Sequence, residues 1–318
     1  MSFVVSSLTN YNNEQNKELL SAALFGSTTA TYAQRRAGIK SSEALQLFDE
    51  DIFLQSGSSC GFSATGNTTF TQRNITVGKA KIDKEWCLRD LETKWTQMLL
   101  PSGSNYTEAD LPRATVEQVM ANLMQIIETA DWQGNTSSGN PNLNRYDGIQ
   151  KILSDAGTTI NANVSAYIAT PITAWTSSNV IGAIDGMILA MVTNKPGVMA
   201  KAGRKLIFVP REVFTLYNIA NRTANYFGFD GTAGQNPNEV RVLGYSDVYV
   251  VAADGLNGTK DAYMLHEGNL FLGEDNVSDM DNADLWFSQD DRTVKLQINF
   301  KRGWQVAFPD EVVNIILA

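Results

Sequence analysis

The stretch VKLQINFKRGWQVAFPDEVV, Val294 to Val313, decides how the rest of the chain is read. Val294, Leu296, Ile298 and Phe300 alternate with Lys295, Gln297, Asn299 and Lys301. A period of two belongs to a strand with one buried and one wetted face. Arg302-Gly303 breaks the run, and Trp304, Val306 and Phe308 resume it. Two forms fit: an antiparallel pair, or one strand with a bulge at Gly303. The apolar EVVNIILA follows, so the end of the chain is expected to lock into a core. No residue pair in the stretch suggests catalysis.

Working outward, 318 residues suit about two domains. A net charge of −9 argues against a general nucleic-acid or anionic-membrane binder, because both need a cationic field. A small local basic patch stays compatible with it. Two cysteines, Cys60 and Cys87, do not make a disulfide framework and are read as reduced thiols. The opening MSFVVSSLTNYNN has no basic segment and no long apolar run, so no signal peptide is expected. No apolar stretch approaches the roughly 20 residues that span a bilayer. Sequons such as those at Asn67 and Asn135 are read as products of an Asn-, Ser- and Thr-rich composition.

The pass along the chain gives an order of parts. Asn12 to Phe25 fits a short helix stopped by Gly26, and a polar loop follows that Arg35, Arg36 and Lys40 make locally basic. Residues 45–82 have extended runs at both ends and a tip rich in Gly, Ser, Thr and Asn. They read as a long two-stranded excursion. Such a hairpin is marginal alone and nothing nearby in sequence supports it, which points to an intermolecular partner. In DKEWCLRDLETKWTQMLL, Cys87, Leu91, Trp95 and Met98 recur at helical spacing. Thr115 opens a longer helix whose face runs Val116, Val119, Met120, Leu123, Met124, Ile127 and Ala130, with a stop at Gly134. Further on come a helix carrying Val180, Ile184, Met187, Ile188 and Met191, a buried strand KLIFV, and a helix after Pro210. Two short strands in NEVRVLGYSDVYVVAADGL follow. Helices and strands mix without regular βαβ alternation, so the class is α+β.

Residues that could carry catalytic chemistry are sparse. The one histidine, His266, sits in a strand-like run and reads as structural. No G-x-S-x-G elbow accompanies it. Cys60 and Cys87 lack metal-ligand spacing. Gly197 to Lys205 fails as a P-loop, because its spacing is wrong and no Ser or Thr follows the lysine. The run holding Glu274, Asp275, Asp279, Asp281 and Asp284 departs from the calcium-loop pattern and reads as a solvated loop. No catalytic, cofactor-binding or metal-ligating residue is assigned, and the chain is not expected to be an enzyme.

The order of parts resembles the major capsid proteins of tailed bacteriophages, with the fold named after phage Hong Kong 97. Three stretches carry the resemblance: KLIFVPREVFTLYNIANRTANYFGF, NEVRVLGYSDVYVV and RTVKLQINFKRGWQVAFPDEVVNI. The resemblance implies an N-terminal arm at residues 1–44 and an extended loop hairpin at 45–83. It implies a peripheral domain at 84–145 and 275–318 with Val116–Asp131 as its long spine helix, and an axial domain at 146–274. It leaves no room for a long leading scaffolding segment. It further implies self-assembly through hexamers and pentamers into an icosahedral shell around a double-stranded DNA genome, touched only non-specifically. Portal, scaffolding or decoration proteins would be its other partners. The location would be the virion capsid, assembled in the host cytoplasm, with no membrane and no cofactor. Candidate inter-subunit contacts are Phe62, Lys79, Lys81, Arg35 and Arg36. Lys84 lies beside them, but no local motif supports a crosslink. An encapsulin-type nanocompartment shell shares the fold and differs in its contents. From another class, an acidic hydrolase or a carbohydrate-binding module is permitted by the six tryptophans.

Overall fold

The computed structural model describes residues 27–50, 52–57, 61, 65–87, 111–224, 237–275, 283–288, 290, 291 and 293–317. The helix expected over Asn12–Phe25 and the contact residue Phe62 lie outside them. In chain order come β1 (Gln34–Arg36), β2 (Ser42–Glu50), β3 (Thr68–Thr76), β4 (Gly78–Cys87), α1 (Leu111–Gln133), α2 (Ile149–Ala156) and β5 (Ile160–Asn161). Then follow α3 (Val180–Asn194), α4 (Pro196–Ala200), β6 (Lys205–Val209), α5 (Arg211–Thr223), β7 (Glu239–Arg241) and β8 (Val248–Ala252). The chain closes with β9 (Ala262–His266), β10 (Leu270–Glu274), β11 (Ala283–Ser288), β12 (Thr293–Val306) and β13 (Val313–Ile315).

Among the described residues these strands form three sheets. A six-stranded sheet runs β5-β13-β9-β6-β8-β7, and β6 lies at its interior with β8 parallel and β9 antiparallel to it. Both faces of β6 are covered, which is why its sequence reads as an unbroken apolar run rather than an alternation. Ile207 and Val209 pack with α3 and α5, while Leu206 and Phe208 pack with Trp132, Ile149 and Trp304. The face named for α3, Val180, Ile184, Met187, Ile188 and Met191, is fully buried there. The terminal β13 is held between β5 and β9, so the apolar finish is locked into a core as its sequence suggests.

A five-stranded sheet is built around β12, which pairs with β10, β11 and β4, while β1 adds to β10 in parallel. The inward residues Val294, Leu296, Ile298 and Phe300 pack on Met120, Leu123 and Ile127 of α1. Helix α1 starts at Leu111, four residues before the expected capping box, with Pro112 in its first turn, where a missing N–H costs nothing. It ends at Gln133, beside the expected stop at Gly134.

Two expectations are corrected here. Arg302-Gly303 is neither a break nor a bulge: β12 is one strand, and its pairing with β10 keeps a constant register from Arg302 to Val306. Arg302 stands in phase with Phe300 and Trp304 and points inward, because a buried carboxylate meets it there. Gly303 is required by a close approach, since a Cβ at that position would come within 2.1 Å of the Thr76 carbonyl oxygen. The second correction concerns Asp83–Cys87, expected to be helical. They extend β4, whose Ala80, Ile82 and Trp86 stand opposite Phe300, Ile298 and Val294. Pairing with a strand some two hundred residues away overrides a local spacing that also fits a helix. The rest of that expected helix lies outside the described residues.

Candidate assembly interface

Two features stand out, one buried and one exposed. The buried one is a polar cluster where α1, β12 and the segment before β1 meet. Asp131, fully buried, accepts from Arg302 Nε at 2.8 Å and Nη2 at 2.7 Å, Trp304 Nε1 at 2.6 Å, the Tyr146 hydroxyl at 2.8 Å and Ser27 Oγ at 3.0 Å. Burial opposes the Arg302 charge, but the Asp131 carboxylate more than offsets it and lifts the guanidinium above its ordinary value. Burial, reinforced by Asp131, pushes the Tyr146 hydroxyl well up, so it stays neutral and donates. The cluster ties helix to sheet with charge-assisted bonds and has no open face for a substrate.

Glu274 and Asp275, read as the start of a solvated acidic loop, belong to this region instead. Glu274 ends β10 and lies 3.3 Å from Arg302 Nη1, and buried Asp275 is paired with Lys301. The remainder of that acidic run is either undescribed or, at Asp284, lies in β11. His266 is held by backbone: its Nδ1 accepts from the Gly268 N–H at 3.0 Å, and its Nε2 lies 2.9 Å from the Ala202 carbonyl oxygen. Cys87 is a free, exposed thiol. No group of His, Cys, Asp or Glu among the described residues is placed to hold a metal ion. No described helix is long and apolar enough to cross a membrane.

The exposed feature is the β2–β3 hairpin. Its strands pair from Ser42↔Thr76 to Glu50↔Thr68, nine residues each, a length of about 30 Å. The base is anchored: Leu45, Ile75 and Val77 pack with Ile39, Phe271 and Ala307. A second glycine, Gly273, makes room there, since a Cβ on it would lie 2.5 Å from the Ile75 side chain. Among the described residues the outer half has no such cover. Phe48 and Phe70, directly opposite one another with ring centroids 5.2 Å apart, are 53% and 74% exposed. Beyond the end of β2, Ile52, Phe53 and Leu54 are 82%, 62% and 103% exposed. Exposed large apolar side chains gathered on one element point to an interaction site.

No family model matches the sequence, and no curated protein matches it. Solved structures do. The satellite phage P4 procapsid gives a TM-score of 0.55 at 8% identity, covering 94% of this chain and 98% of that one. The capsid of Myoviridae phage XM1 gives 0.53 at 12%, covering 88% and 87%. A virus-like particle from Pyrococcus furiosus gives 0.51 at 9%, covering 95% and 98%. The chain has the Hong Kong 97-type capsid fold. Identities this low establish the fold alone.

The candidate contacts do not converge on one spot. Arg35 and Arg36 lie exposed on β1, the Arg36 guanidinium 5.8 Å from the centre of the Phe271 ring. Lys79 and Lys81 lie exposed on β4, past the hairpin, Lys79 opposite Lys301 and Lys81 paired with Asp83. The exposed apolar residues that dominate the hairpin were missed by sequence reasoning, which singled out Phe62. The signal for them was Phe48 and the triplet Ile52-Phe53-Leu54, separated by three acidic residues, beside a tip that lacks such a cluster. The signal for Arg302 was its phase with the inward face of β12.

Proposed function

We propose that the chain is a major capsid protein that self-assembles, through hexamers and pentamers, into an icosahedral shell enclosing a double-stranded DNA phage genome. The observation that carries the reading is the hairpin: a capsid fold presents an element anchored at its base, with the paired aromatics of its outer half exposed. Exposed aromatics gain their burial only when a neighbouring copy lies beneath them. The division into an arm (1–44), an extended loop (45–83), a peripheral domain (84–145 and 275–318) and an axial domain (146–274) is part of the proposal. So are portal, scaffolding or decoration partners, assembly in the host cytoplasm and residence in the virion. The role is structural rather than catalytic, and the −9 net charge suits a wall that touches packaged DNA only non-specifically.

Sedimentation of the purified chain, across protein concentration and salt, tests the reading. Species far larger than the 34.9 kDa subunit are expected. A lone monomer under every condition would overturn it.

A further inference from the structure

Residues 27–36 cross three parts of the fold. Ser27 and Thr29, both buried, lie on the last turns of α1. Ser27 Oγ is hydrogen-bonded to the Glu128 carboxyl and lies 3.0 Å from Asp131 Oδ2. Thr29 Oγ1 bonds Glu128 Oε1 at 2.6 Å, the Thr29 N–H reaches Oε2 at 3.3 Å, and Trp132 Nε1 donates to Thr29 Oγ1 at 2.6 Å. The Tyr32 hydroxyl then donates to Glu239 of β7 at 2.8 Å, and its ring meets Phe208 edge-on. Finally Gln34–Arg36 add to β10 as a parallel edge strand. The segment joins residues 1–26 to the body of the subunit.

Glu128 is the weak point of this strap. The charged and titratable groups acting on it are Asp131 on α1 and Tyr146 from the loop after α1, while Arg302 on β12 and Glu274 on β10 gather about Asp131, with Arg35 of β1 acting on Glu274. The turn Asp254–Leu256 packs across α1 beside the Glu128 carbonyl, and its Asp254 is paired with Arg211. Arg302 directs Nε and Nη2 to Asp131, while the contacts described for the Glu128 carboxyl are two hydroxyls and an amide. A second negative charge beside Asp131, in a buried site, is costly without a cation of its own.

We propose that residues 27–36 act as a proton-operated strap, docked over α1 while Glu128 is protonated and released from it when Glu128 ionises. A protonated Glu128 donates to Ser27 Oγ, whose own hydrogen goes on to Asp131. An ionised Glu128 would be better solvated with the strap lifted away. Burial, followed by the Asp131 charge, raises the docked carboxyl above its ordinary value. Once uncovered, it returns towards the ordinary range. Docking is therefore fully supported below that range and loses support as pH climbs through the raised value. Across this interval strap opening should grow by up to about tenfold per pH unit.

Hydrogen exchange of the full chain, corrected for the intrinsic pH dependence of exchange, tests the strap. In the wild type, protection of the amides of residues 29–33 should fall with rising pH while β6 amides keep theirs. In Glu128→Gln, which stays neutral and can still bond both hydroxyls, strap protection should be flat with pH. Equal slopes in the two proteins, a flat wild type, or parallel loss in β6 would each overturn the proposal. Should Glu128→Gln fail to fold, Ser27→Ala gives a second reading. It should lower strap protection at every pH, and unchanged protection would count against the mechanism. The readout needs no assembled shell, so it stands or falls apart from the capsid reading.

Discussion

At the scale of the residue, the arrangement turns on what lies inward of β12. Trp304 is buried, with its Nε1–H on Asp131. Trp304→Ala removes a large buried ring and the hydrogen bond together, and should cost about 3–5 kcal/mol. Denaturant unfolding measures it, and an unchanged midpoint would contradict the placement. Arg302→Met is a sharper probe. It keeps the volume but leaves the Asp131 carboxylate in a buried site without its cation, at a cost of about 3–5 kcal/mol. A variant as stable as the wild type would show that Asp131 is satisfied by its neutral donors alone. The residue level was also where sequence was least legible. A charged residue in phase with an apolar face looks, in sequence, like the end of a strand. Only the carboxylate waiting on α1, 171 positions away, makes it part of the core.

Elements were easier to read where one surface dictates their pattern. The alternation of β12, the solid apolar run of β6 and the long apolar face of α1 each reflect direct contact with a core. The second half of β4, Asp83–Cys87, escaped because its periodicity supports two readings and a distant partner chooses between them. The hairpin was legible as an excursion, but which residues it leaves bare follows from where its base docks. Phe48 and Phe70 contribute a cross-strand pair to the free subunit, about 0.2–1 kcal/mol. Phe48→Ser with Phe70→Ser should therefore shift subunit unfolding by no more than that, while abolishing stable particles. Replacing Ser56–Thr69 by a short Gly-Ser turn should likewise leave circular dichroism unchanged. A subunit that unfolds on either change would place these residues in its own core.

At the scale of the whole molecule, the subunit invests its core at the centre and leaves its reaching parts under-supported. Two cores cover both faces of the six-stranded sheet, and a third joins α1 to β12. Among the described residues the hairpin, by contrast, is held only at its base. On the proposed reading, a chain built this way folds alone and is completed by copies of itself. The measurement that tests this most directly is electron microscopy of the chain expressed alone or with its natural assembly partners. The account predicts closed icosahedral shells in which Phe48, Phe70 and Ile52–Leu54 of each subunit are covered by a neighbour. Shells in which that apolar patch faces solvent, or a folded subunit that forms no shell under any condition, would contradict it.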